Sequence, residues 1–201
     1  MSDTAPSPES IPPPKGFVQG IPRLFLYTAG FCVGRASLKG EPQWTEAGLS
    51  LAAIALSASA VESWIAEWFA VAKGRGELPD DLKDLEMLPR GRPHEIIKQV
   101  VRSKRGVQLG EEEWYREMRC LFELRNHLLH YNPIPRELGS FPDALKDCIA
   151  RGRLKPGGSD EMDWTSRLLL PQVASQAAMI AHASIDALWE LLVEAPKGDA
   201  A

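Results

Sequence analysis

Three residues near the end of one apolar segment have side chains that could handle a phosphate. In the run from Cys120 to Pro133, C-L-F-E-L-R-N-H-L-L-H-Y-N-P, Arg125 is followed by Asn126 and, one turn later, by His130. A guanidinium offers a planar fork of donors to phosphate oxygens. An imidazole titrates near neutral pH and can give or take a proton. At about 100° per residue, Asn126 and His130 fall roughly 40° apart on one helical face, whereas Arg125 and His130 diverge by about 140°. Three arrangements would close that gap: a long guanidinium swinging round, a distorted last turn, or a partner group from a second subunit. His130 falls in the last turn, where the carbonyl end of a helix favours a positive imidazole by up to about 1–2 kcal/mol.

The helix that carries these residues should run from about Glu111 to Tyr131. Glu111, Glu112 and Glu113 suit its N-terminus. Pro133 disfavours helical geometry at Asn132 and sets the stop. Trp114, Met118, Leu121, Phe122, Leu124 and Leu128 mark its core side. A long helix is expected over 45–73, capped by Thr45, ended by Gly74, and apolar nearly all round in its upper half. Glu62 interrupts that apolar run. Exposed, it needs no partner; buried, it needs a cation, for which Arg125 is the choice.

The remaining elements follow from periodicity and breakers. Over 17–43, Pro22 and Gly40 frame a helix with Leu24, Tyr27, Phe31 and Leu38 at near-helical spacing, and Gly30 and Gly34 on one face would let another helix approach closely. A strand over 23–27 is the competing assignment. Residues 74–92 are a connector with one helical turn near Asp80–Met87. Pro93 opens a helix to about Lys104 with Ile96, Ile97, Val100 and Val101 inward. Its basic residues, Arg90, Arg92, Lys98, Arg102, Lys104 and Arg105, read either as a solvated face or as a phosphate-contacting surface. Residues 132–165 form a long link rich in Pro and Gly with a short helix at 142–150. The last helix spans 164–194, with Pro171 as a kink or its true start. The sum is all-α: a four- to five-helix bundle with a long crossover link before the last helix. The divisions are a Pro-rich disordered tail (1–16), a single helical domain (17–195) and a short tail (196–201).

Composition narrows the function classes. The chain has 201 residues, a net charge of −4 and 44% apolar residues, which suits a folded domain rather than a protein that coats nucleic acid throughout. Three cysteines without C-x-x-C speak against a disulfide framework or zinc cluster and fit a reducing, cytoplasmic setting. The N-terminus has no basic-then-apolar leader, and the longest apolar stretch, Ala47 to Val61, is shorter than the roughly 20 residues of a membrane span. No glycine loop for phosphates, G-x-S-x-G or paired-carboxylate motif is present. His127 and His130, three apart, lack companions that would complete a metal site, so neither metal nor cofactor is expected. The six tryptophans are expected to serve packing, His182 to be a hydrogen-bonded core or interface residue, and Cys120 to be structural. A helix-end Arg and His that merely cap carbonyls is the plain reading of the motif.

The order Arg125, Asn126, His127, Leu128, Leu129, His130, followed by Tyr131, Asn132 and Pro133, resembles the R-x4–6-H signature of the HEPN superfamily, with a polar residue second, near the end of a bundle helix. The resemblance spans about residues 45–194. It implies a helical bundle that usually dimerises, bringing two motifs into one cleft, and in many members a metal-independent endoribonuclease of toxin–antitoxin, antiviral or RNA-processing systems. Other members bind nucleotide or serve as scaffolds. It implies His130 as general acid or base, Arg125 stabilising charge on the phosphoryl oxygens, and Asn126 orienting one of them. Cleavage would leave a 2′,3′-cyclic phosphate and a 5′-hydroxyl. Arg102, Lys104, Arg105 and Arg119 would bind substrate, with Glu62, His127 and Tyr131 in support. The partners expected are RNA or nucleotide, a second copy, and an antitoxin or defence protein, with neither DNA nor membrane.

Overall fold

Seven α-helices and two 3-10 turns make up the regular structure among the described residues, and no strand occurs among them. The computed structural model describes residues 20–40, 42–85, 93–106, 108–130, 141–159 and 162–193. The expected tails, Arg90, Arg92, Tyr131, Asn132 and Pro133 lie outside that set.

The first helix, α1 (Ile21–Ala36), starts where Gly20 takes φ 71°, with Pro22 in the first turn. The Glu67 carboxylate, from the next helix, accepts a hydrogen bond from the Ile21 N–H. Helix is thus the correct assignment here and strand is not. Its inward face, however, is Pro22, Leu26, Ala29, Val33 and Ala36. Leu24, Tyr27, Phe31 and Leu38 point outward and are all at least 49% exposed. Small residues let α1 lie close along its neighbour, so they took the core side and the larger ones were left outside. A Cβ at Gly30 would meet nothing within 4 Å, so no helix approaches closely there.

The central helix, α2 (Gln43–Gly74), buries Ala53, Ile54, Ser57, Ala58, Ala60, Val61, Trp64, Ile65, Trp68 and Phe69. Buried pairs one turn apart make a face wide enough to meet three neighbours. It packs along α1 and against the last helix and the motif helix. Thr45 does not cap it: the helix begins two residues earlier, and the Thr45 and Glu46 N–H groups both donate to the Pro42 carbonyl. Nor is Gly74 its terminating glycine. Gly76 takes φ 67°, and the paired bonds Glu77 N–H to Ala72 O (2.9 Å) and Gly76 N–H to Lys73 O (3.0 Å) close the end. By length and composition α2 alone among the described helices could cross a membrane; half of that apolar window is buried inside the fold.

A 3-10 turn at Asp80–Leu82 precedes α3 (Pro93–Arg105), whose Ile96, Ile97, Val100 and Val101 are all buried. Seven residues, including a second 3-10 turn at Leu109–Glu111, reverse the chain into α4 (Glu113–Leu129). Helix α4 buries Tyr115, Met118, Cys120, Leu121, Phe122 and Leu124, while Trp114 and Leu128 are half-buried. After α5 (Asp143–Ala150), the expected single terminal helix is two. The first is α6 (Trp164–Leu168), capped by the Asp163 carboxylate on the Ser166 N–H (2.9 Å). The second is α7 (Pro171–Leu192), with Pro171 at its first turn, so the proline marks a start and not a kink. Val173, Ala177, Ala181, Ile185 and Leu188 of α7 face α2 and α4, where the core lies.

Candidate functional site

The last two turns of α4 place Arg125 and Asn126 against Glu62 of α2, where those helices pack. The guanidinium grips Glu62 with two nitrogens: Nη1 donates to Oε2, and Nη2 donates to Oε1 at 3.0 Å. Nε and Nη2 also donate to Asn126 Oδ1 at 3.2 and 3.0 Å. The Phe122 ring, one turn back on α4, lies 5.7 Å from the guanidinium carbon, within reach of a cation–π contact. Side-chain exposures of 13% for Arg125 and 28% for Glu62 put the pair at the edge of the core, where two-point geometry offsets much of the desolvation cost.

This arrangement fixes which donors remain. Because Asn126 Oδ1 faces two guanidinium N–H groups, its amide nitrogen is turned the other way, and it has no partner among the described residues. Arg125 keeps one uncommitted N–H on Nη1. Its charge is balanced by Glu62, so a phosphate there meets a net-neutral ion pair with two outward donors rather than a free cation.

His130 stands just past the helix rather than in its last turn. Its N–H caps the Asn126 carbonyl at 2.9 Å, and its ψ of 66° turns the chain away from helical geometry. The imidazole is exposed and has no hydrogen-bond partner among the described residues. Thus Arg125, Asn126 and Glu62 are brought together, while His130 is tied to Asn126 through the backbone alone and its imidazole bonds to none of the three.

The other expected site residues lie apart from this cluster. His127 packs edge-on to Phe141 (4.7 Å between centroids), Phe141 meets Trp164 (5.8 Å), and Arg167 lies over Trp164 (4.3 Å). Burial in this aromatic row pushes the His127 pKa below the ordinary imidazole value, which favours its neutral form. Arg105 donates from Nε to the Leu191 carbonyl (3.1 Å) and so caps the end of α7. The His94 ring, at the start of α3, stacks on Phe122 (5.9 Å), near the cluster. Arg102 and Arg105 therefore sit roughly 12–16 Å further along α3 than His94. Lys104 is on the same stretch of α3, and Arg119 is exposed on α4, a turn and a half before Arg125. Phe122 is the contact that core patterning hid; its i, i+3 spacing to Arg125 was the available signal.

His182 is half-buried, and its Nδ1 finds no partner among the described residues, so it is not the hydrogen-bonded histidine expected. Burial lowers its pKa, partly opposed by Asp186. Trp64 and Trp68 are buried and Trp114, Trp164 and Trp189 half-buried, but Trp44 is 79% exposed. No group of three His, Cys, Asp or Glu side chains able to hold a metal gathers among the described residues. Comparison with family models, curated proteins and solved structures gives no match, so the likeness to the HEPN superfamily rests on the motif and its helical setting.

Proposed function

We propose that this chain is a HEPN-like cytoplasmic protein that cuts RNA without a metal at the C-terminal end of α4. One observation carries the reading: Arg125, Asn126 and Glu62 form a single hydrogen-bonded cluster that keeps two uncommitted donors, one turn before an exposed imidazole. In that role His130 takes the 2′-hydroxyl proton or supplies one to the leaving oxygen. The amide of Asn126 and the remaining Arg125 N–H hold the phosphoryl oxygens as charge grows on them. The finer fold reading, a four- to five-helix bundle, belongs to the same proposal, with α1, α2, α4 and α7 as its long members and α3 beside them. So do a homodimer and a protein partner of the antitoxin or defence kind.

A second reading is favoured by the balance of charge in the cluster. An arginine already neutralised by Glu62 gives less transition-state stabilisation and suits a catalytically silent module that holds a nucleotide or protein. End-labelled RNA incubated with the protein in EDTA separates the two. Cleavage should give 2′,3′-cyclic phosphate and 5′-hydroxyl ends, and His130→Ala, at an exposed position, should abolish it without loss of fold. If the wild type leaves RNA intact but is stabilised by nucleotide in a thermal-shift assay, the silent module is correct.

A further inference from the structure

The fold brings together two cysteines that the proposed chemistry does not use. Cys120 lies on the inner side of α4, five residues before Arg125, and Cys148 lies on α5, which packs against α4. Both are 0% exposed, and their thiols hydrogen-bond to each other. All three cysteines are free, and Cys32 is buried separately on α1. The loop from Cys120 to Cys148 contains Arg125, Asn126 and His130.

We propose that Cys120 and Cys148 are a modification site: on meeting a disulfide oxidant such as oxidised glutathione they close an intramolecular disulfide that ties α5 to the motif helix. The Cys120 S–H donates to the Cys148 sulfur, which holds Cys148 below the usual thiol range and raises Cys120; the Arg151 guanidinium acts in the same direction on Cys148. Cys148, carried by the short helix that opens, attacks as its thiolate. It displaces one glutathione thiolate and becomes a mixed disulfide. Cys120, losing its proton, attacks the Cys148 sulfur and expels the second glutathione. Two protein thiols and one oxidised glutathione become one protein disulfide and two reduced glutathiones, so atoms and electrons balance. Access comes through α5. It has eight residues, of which Leu145 and Cys148 are buried, and the ion pairs that reach α4 lie just past its end: Arg151 to Glu113 (3.9 Å), and Arg153 to Glu113 and to Glu117 (3.2 Å). A short element held this way opens at lower cost than the whole fold.

The test needs no activity and stands whatever the motif does. The full native chain is incubated with oxidised glutathione, quenched in acid, denatured, alkylated, and digested without reductant for mass spectrometry. The expected result is that free thiols fall from three to one, that Cys32 is the one alkylated, and that a linked peptide pair carries Cys120 and Cys148, lighter by two hydrogens. Excess reduced glutathione should restore all three thiols. Cys148→Ala, checked for native helix content by circular dichroism, should yield no linked pair and leave Cys120 alkylated. Three alkylated thiols after oxidation of the wild type, a link to Cys32, or links between chains would overturn the proposal.

Discussion

At the residue scale, the cluster on α4 separates what holds the fold from what is free to react. Removing the Arg125 guanidinium strands a half-buried Glu62 carboxylate and leaves Asn126 Oδ1 without its donors. Arg125→Ala should therefore cost about 2–3 kcal/mol of stability, whereas His130→Ala should stay within about 0.5 kcal/mol of wild type. Urea denaturation of both variants checks this; equal midpoints would mean that the ion pair stabilises nothing. An activity lost in Arg125→Ala thus says little, and one lost in His130→Ala says much. A second residue sets a pH dependence. His182 has its folded pKa depressed below 6.5 by burial, partly opposed by Asp186. The unfolded chain then binds more protons than the folded one as pH falls through the range below about 6.5, so stability is full above it and declines below it. Urea midpoints measured at pH 7.5 and 5.5 should differ for the wild type and differ less for His182→Leu.

At the element scale, helix ends decide where the chain turns, and here pattern and conformation part company. Gly74 is the last residue of α2, with an ordinary helical φ and open space around its Cβ position, while Gly76 sits at φ 67° with equally open space. Gly74→Ala should stabilise by up to about 1 kcal/mol through helix propensity. Gly76→Ala should destabilise by about 1 kcal/mol, because only its backbone conformation resists a side chain. Opposite shifts in thermal midpoint are the expected pair, and a loss at Gly74 would mean that this glycine, and not Gly76, is the one that closes the helix. The same contrast shows what could be read from the residues. The inward faces of α3 and α7 followed from hydrophobic spacing, because each has one apolar stripe and one place to put it. The choice of Glu62 as an acid in need of a cation, and of Arg125 to supply it, followed from the cost of an unpaired carboxylate. The face of α1 could not be read this way. Two stripes compete there, and a small-residue stripe wins only when the neighbour is known. The tie between Arg105 and Leu191 is likewise a contact between elements 86 residues apart, which no local pattern announces.

At the scale of the whole molecule, α1 and α4 each pack on α2 and α7, so they lie on opposite sides of that pair. The outer row of α1, Ile21, Leu24, Tyr27 and Phe31, is 56–78% exposed and spans about 120° of the helix surface. It offers on the order of 500 Å² of apolar surface, near the upper end for the largest patch of a lone domain. Under a twofold axis such a row would meet itself, so the homodimer proposed above would form through it. Among the described residues, the motif end offers Leu129, 49% exposed, beside His130. Pairing through α1 would therefore leave two motifs on the outer sides of a dimer instead of facing each other across a cleft. Light scattering coupled to size exclusion should give a dimer mass for the wild type, a monomer mass for the double variant Tyr27→Glu with Phe31→Glu, and an unchanged mass for Leu129→Glu. Any RNA cleavage should survive in the monomeric variant, since each chain would then carry its whole site. The converse result, a monomer from Leu129→Glu alone, would place the twofold axis at the motif and make the α1 row a surface for some other protein.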